Sequence, residues 1–281
     1  MVRDVDVKLL TDNIKEMCIE ATHFLTPDMD AALKKATAKE EAPLGKQVLE
    51  QLQENLQIAG KEMIPICQDC GMAVVFLEIG QDVHFTGGNL MDAVNEGVRR
   101  GYVDGFLRKS VVKDPLLRGN TGDNTPAILH TEIVPGDKVK ITVSPKGFGS
   151  ENKSKIIMLT PADGVEGVKA AVVNAVKEAG PNACPPMVVG VGIGGTFERA
   201  AYMAKKALTR DVSVRSELPH IAELENELLE MINKSGIGPG GLGGITTALA
   251  VNVNTYATHI AGLPVAVNIC CHVNRHAVRV I

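Results

Sequence analysis

The run MAVVFLEIG, residues 72–80, constrains this chain more than any other stretch. It is apolar and rich in β-branched side chains, which suits a strand buried on both faces, and it is far too short to cross a membrane as a helix. Everything before it reads as helix. VKLLTDNIKEMCIEATHFL sets Leu9, Leu10, Ile14, Met17, Cys18 and Ala21 on one stripe at helical spacing. TPDMDAALKKATAKE offers Thr26 as an N-cap and Pro27 at the first helical position, and LGKQVLEQLQENLQIAGKEM is dense in good helix formers. A helical region over about residues 1–62 that breaks into a buried strand requires a mixed architecture.

The remainder keeps alternating. NLMDAVNEGVRRGYVDGFL reads as helix, LLRGNTGDNTPA as turns, and DKVKITVSP as a half-buried strand. VEGVKAAVVNAVKEAG is a helix closing at Gly180, PPMVVGVGIGG a strand and then a loop, and TFERAAYMAKKAL the helix after it. A helix near residues 219–234 precedes a glycine-rich loop, SGIGPGGLGG, that runs into a strand, and LPVAVNICCHV reads as the last strand. The expectation is a mixed α/β (α+β) fold, helices packed around small β-sheets, forming one domain over residues 1–281. With aromatics at 3% and no Trp, the core must be filled by Val, Ile, Leu, Ala and Met.

Charge and targeting signals narrow the function. A net charge of −4 without basic blocks gives nucleic-acid binding no electrostatic support. The charged, amphipathic N-terminus has no apolar core of a secretory signal, and no run approaches the ~18 uninterrupted apolar residues of a membrane span. The expected setting is cytoplasmic. In that reducing environment, six cysteines are thiols or metal ligands rather than disulfides.

Cys67 and Cys70 form a C-x-x-C pair, but they precede a strand, whereas a redox pair needs its reactive thiol at a helix N-terminus. A zinc site built from them with His272 and His276 would join halves some two hundred residues apart, unlike a finger. GVGIGG, residues 190–195, fits a dinucleotide loop between strand and helix, yet equally fits a turn that lets a helix approach a sheet closely. Cys184, in GPNACPP, and Cys270–Cys271 both lie at the ends of strand segments. Three dispersed thiols suit an iron–sulfur cluster in which one iron lacks a protein ligand.

Taken together, PICQDCG, KGFGSENKS, CPPMVVGVGIGGTFERA and VNICCHVNRH resemble the class I, iron–sulfur-dependent fumarate hydratases and their relatives the L-tartrate dehydratases. The order of these blocks is that of the N-terminal, cluster-binding half, made in many prokaryotes as a separate α subunit. The resemblance implies Cys67, Cys184 and Cys271 as ligands of a [4Fe-4S] cluster, Cys271 being preferred to Cys270 because one cysteine stands just before the position of His272. Cys70 occupies a position that is usually Thr. Gln68 and Asp69 are implied at the substrate, Asp69 also in proton movement, although an ordinary turn aspartate has the same local signature. Arg108 is implied as a ligand of a substrate carboxylate, Gly149 and Ser150 as backbone N–H donors to one, and His259 as an active-site histidine contributed across a dimer interface. GPGGLGG reads either as a loop close to the cluster or as a structural turn.

The implied activity is reversible hydration of fumarate to L-malate, with dehydration of L-tartrate as the alternative. Both need a β subunit carrying the remaining half of the site, in an α₂β₂ assembly around a homodimer of α chains. A non-catalytic nucleotide-binding protein using GVGIGG is the rival from another class.

Overall fold

The computed structural model describes residues 2–281. In chain order its elements are β1 (Arg3–Asp6), α1 (Val7–His23), α2 (Pro27–Lys39), α3 (Pro43–Glu62), β2 (Met72–Gly80), β3 (Val83–Thr86), α4 (Leu90–Asp104), β4 (Ile128–Val134), β5 (Val139–Lys146), α5 (Phe148–Glu151), β6 (Lys155–Leu159), α6 (Gly164–Ala179), β7 (Met187–Gly194), α7 (Phe197–Ala207), α8 (Pro219–Asn233), β8 (Ala248–Tyr256), β9 (Leu263–Cys270) and β10 (Ala277–Val280). This is an α+β fold, as expected. Among the described residues no helix is long and apolar enough to cross a membrane. The chain forms two compact units: residues up to Thr26 with Leu56–Phe148 and Arg275–Ile281, and Pro27–Asn55 with Gly149–Asn274.

In the first unit, the side chain of Asp6 accepts the Lys8 N–H at 2.8 Å and starts α1. Leu10, Ile14, Met17, Cys18 and Ala21 are buried as their spacing requires, while Leu9 turns off the stripe and is 43% exposed. α1 lies against α4 at two glycines one helical turn apart. A Cβ on Gly97 or Gly101 would stand 2.8 Å from the Ile14 Cβ or 2.7 Å from the Cys18 Cβ, so only glycine lets these helices close. They cover a sheet of order β10-β5-β2-β4, in which β2 is antiparallel to β5 and parallel to β4. The last strand of the chain is thus β10, paired with β5, and not the LPVAVNICCHV segment.

The second unit is layered around the sheet β6-β9-β7-β8, with β9 antiparallel to β7 and β7 parallel to β8. Val189 and Val191 of β7 pack with Val172 and Val176 of α6 and Leu224 and Leu228 of α8. The alternate residues Gly190 and Gly192 face α7. A Cβ on either would fall 2.1 Å from a carbonyl oxygen, of Ala204 or Ala200 respectively. These two glycines of GVGIGG therefore belong to a strand that a helix approaches closely, and the phosphate-loop reading loses its loop.

Candidate active site

The loop before β2 is built to hold its shape. Cys67 and Asp69 are half-buried, Gln68 is exposed and Cys70 is buried. Its carbonyls are taken up one after another, the first by a thiol of the loop itself and the others by side chains from distant segments of the same unit. The Cys70 thiol donates to the Cys67 carbonyl (3.8 Å), and the Arg275 Nη2 donates to that of Asp69. The Tyr102 hydroxyl donates to that of Cys70 (2.8 Å), and the Asn124 amide to that of Gly71 (3.1 Å). Gly71 has φ 74°, and a Cβ there would meet the backbone of Lys146 at 2.7 Å, so glycine is required.

Asp69 lies at the centre of this network. Its Oδ1 accepts the Gly71 N–H at 2.9 Å, closing the local turn, and its Oδ2 accepts the Phe148 N–H at 2.8 Å. One carboxylate thus joins the CQDCG loop to the KGFG segment. With a backbone N–H on each oxygen, the carboxylate is held in one orientation. Arg108 enters the same neighbourhood through its backbone, whose N–H donates to the Cys70 sulfur at 3.2 Å. Its side chain is exposed, and its guanidinium makes no hydrogen bond or ion pair among the described residues. A fork of N–H donors left open in this way suits a carboxylate.

Three residues here escaped sequence reasoning. Asn124, wholly buried, receives the Ser110 and Val111 N–H groups on Oδ1 while donating to Gly71. Arg275, 3% exposed, spans the carbonyls of Asp69 and Pro145, and its Nη1 is buried without a partner. Lys146, also 3% exposed, donates to the Gly147 carbonyl at 3.2 Å. Asn124 lies in a turn-rich run and Lys146 ends an alternating strand, so neither carries a signal of burial. Arg275, between the VN and HAV of VNRHAV, carries none either.

In the second unit Cys184 and Cys271 come together by strand pairing. Val188 of β7 pairs with Cys270 of β9, so Cys184, ahead of β7, and Cys271, just past β9, share one end of the sheet. The Cys184 carbonyl accepts the His272 N–H at 3.3 Å and contacts the His272 Nδ1 at 3.0 Å. Cys184 itself is exposed and takes the left-handed conformation (φ 52°, ψ 63°). The glycine loop packs on the same segment: the Gly240 N–H donates to the Pro185 carbonyl at 2.9 Å, and Gly241 has no room for a Cβ against Pro181. On its other side this loop is held by Glu40, whose carboxylate accepts the Ile245 and Thr246 N–H groups, both at 3.0 Å. Burial acts to raise the Glu40 pKa, but these bonds and the Ala42 N–H outweigh it and hold the carboxyl below its usual range.

Gly149 and Ser150 lie in α5, Gly149 exposed and Ser150 buried. The rest of that motif is anchored beneath β9, the Asn268 amide donating to Glu151 and to Ser154, both at 3.0 Å. His259 is exposed in the turn before β9 and lines a cleft of about 500 Å³ with His220, Ile193, Thr255 and Leu263. It is not near Cys271. The two stand beyond opposite ends of β9, an eight-residue strand of roughly 25 Å.

The six cysteines divide by exposure. Cys67, Cys184 and Cys271 reach the surface, whereas Cys18, Cys70 and Cys270 are buried. Burial pushes the Cys18 thiol up to about 12 and also raises that of Cys70. Among the described residues no group of three or more His, Cys, Asp or Glu side chains is set to hold a metal ion. The chemistry of the accessible thiols nevertheless fits the group the sequence implies, because iron–sulfur clusters take thiolate ligands and the inaccessible cysteines are those left out of the set.

Comparison with known proteins places the chain in a family. The model of the fumarate hydratase (Fumerase) family matches residues 11–280. A Methanocaldococcus jannaschii protein provisionally named L(+)-tartrate dehydratase subunit alpha is 40% identical over 276 residues, 96% of each chain. The L(+)-tartrate dehydratase subunit alpha of Escherichia coli K12 is 31% identical over 272 residues, 96% of this chain and 89% of its own. The chain belongs to the fumarate hydratase family, a family of hydro-lyases.

Proposed function

We propose that this chain is the α subunit of an iron–sulfur hydro-lyase that dehydrates L(+)-tartrate, working with a β subunit in an α₂β₂ assembly. The observation that carries the substrate is the end-to-end likeness, 40% identical, to a protein named for tartrate. This departs from the expectation of fumarate, which the name of the family model favours and which remains the second reading.

Cys67, Cys184 and Cys271 would hold the [4Fe-4S] cluster, which when bound supplies a Lewis acid that makes a substrate hydroxyl a better leaving group. The chain's own residues then have separate tasks. Arg108 takes a substrate carboxylate, which its unpaired guanidinium supports. Asp69, fixed by two backbone donors, orients the departing hydroxyl, with Gln68 next to it in the chain. The N–H groups of Gly149 and Ser150 address a second carboxylate. Loss of hydroxide from one carbon and of a proton from the next leaves an enol, which tautomerises to oxaloacetate; the base that takes that proton belongs to the β subunit. His259 serves the site of a neighbouring α chain, a reading supported by its distance along β9 from Cys271.

The test is turnover by the anaerobically reconstituted α and β subunits with L(+)-tartrate and with L-malate. A higher kcat/KM for tartrate is expected. A preference for malate replaces the substrate assignment with the second reading, and full activity of the α chain alone sinks the split site.

A further inference from the structure

We propose that Cys70 is a positioning residue whose thiol sets Arg108 in register with the Cys67–Asp69 loop, an inference that rests on Arg108 receiving a substrate carboxylate. Cys70 is 1% exposed, and a cysteine that only filled space would leave its sulfur against carbon. Here the sulfur is used in both directions. It accepts the Arg108 N–H at 3.2 Å and donates its own hydrogen to the Cys67 carbonyl at 3.8 Å. One side chain therefore links the backbones of two residues assigned to the site.

The segment that carries Arg108 needs such a link. It leaves α4 through Phe106, a non-glycine residue at φ 53° with its ring 90% exposed, so no packing of that ring fixes the exit. The N–H groups that follow are captured in turn: that of Leu107 by the Tyr102 carbonyl at 3.1 Å, that of Arg108 by the Cys70 sulfur, and those of Ser110 and Val111 by Asn124. Tyr102 and Asn124 also donate to the carbonyls of Cys70 and Gly71. The two loops are thus laced together, and the stitch at residue 108 is the thiol. Bonds to sulfur are weak, so the consequence is aim rather than overall stability. Without the stitch the guanidinium samples more directions, and substrate binds less tightly while the chemical step is little altered.

Threonine and valine separate the roles, being nearly equal in shape while only threonine can both accept and donate. Cys70→Thr and Cys70→Val are compared in the reconstituted α–β enzyme, with Cys70→Ala as a second non-bonding variant should valine fail to fold. Cys70→Thr is expected to keep KM for L(+)-tartrate within about twofold, and the non-bonding variants to raise it about fivefold with kcat nearly unchanged. Amide hydrogen exchange at Arg108 is measured in parallel on the α chain alone, and should quicken about fivefold in Cys70→Val but not in Cys70→Thr. Equal exchange in the threonine and non-bonding variants overturns the proposal. Exchange that separates them with no split in KM leaves the stitch real but removes Arg108 from the substrate, which overturns the role claimed for the thiol through the failure of the underlying reading.

Discussion

Cys270 and Cys271 are adjacent in sequence and opposite in circumstance. Cys270 ends β9 with its thiol buried and donating toward the Val273 carbonyl, while Cys271 lies at the surface on the side of Cys184. Replacing Cys67, Cys184 or Cys271 by serine should therefore abolish retention of iron and sulfide after anaerobic reconstitution, whereas Cys270→Ser should keep most of both. Equal loss from Cys270→Ser and Cys271→Ser would leave the third ligand unassigned. The accessibility of these thiols was legible because cysteines beside Gly, Pro or a strand end stand out from the apolar stripe that holds Cys18. Asn124, Lys146 and Arg275 were not. A buried polar side chain is revealed by the groups it satisfies, and these lie far off in sequence: Asn124 reaches 53 residues to Gly71 and Arg275 reaches 206 to Asp69.

At the scale of elements, legibility followed position in the sheet. The central strands β2, β5, β7 and β9 were evident because a partner on either side and a helix on a face demand continuous or alternating apolar residues. β4, β6 and β10 are edge strands, and β1 pairs only with β3. Short segments such as RDVD, KIIML and AVRV bury few side chains and resemble loops in pattern. β8 is the exception, an edge strand made legible by its apolar packing with α8. The glycines of β7 invite a direct test. Gly192→Ala must push α7 off the sheet, since its Cβ would sit 2.1 Å from the Ala200 carbonyl, and should cost about 2–3 kcal/mol in denaturant unfolding. An unchanged midpoint would show that the close approach is dispensable. The glycine loop offers a second test through Glu40. Its folded pKa is depressed, so its contribution is complete above the unfolded value of about 4.3 and is lost as pH falls through the folded value. Glu40→Gln should destabilise by about 2 kcal/mol at pH 7, with the gap to the unaltered protein narrowing only below about pH 4. A gap independent of pH would mean that shape rather than charge holds the loop.

For the whole molecule, family membership and the α+β architecture were readable from ordered motifs spread over the chain, while the choice between fumarate and tartrate was not. The two substrates differ by a second hydroxyl, whose recognition calls for one or two polar contacts rather than a motif. The α chain alone is expected to bind a cluster and turn over neither substrate, and adding the β subunit should restore activity. A colourless, iron-free α chain after reconstitution would contradict this. β9 also carries a consequence for genetics. Because its length keeps His259 from the Cys184–Cys271 end of the same chain, a His259→Ala copy and a Cys271→Ser copy carry complementary lesions. If each histidine serves its neighbour, random pairing of the two inactive variants assembles one intact centre in every mixed dimer, and about a quarter of normal activity should return.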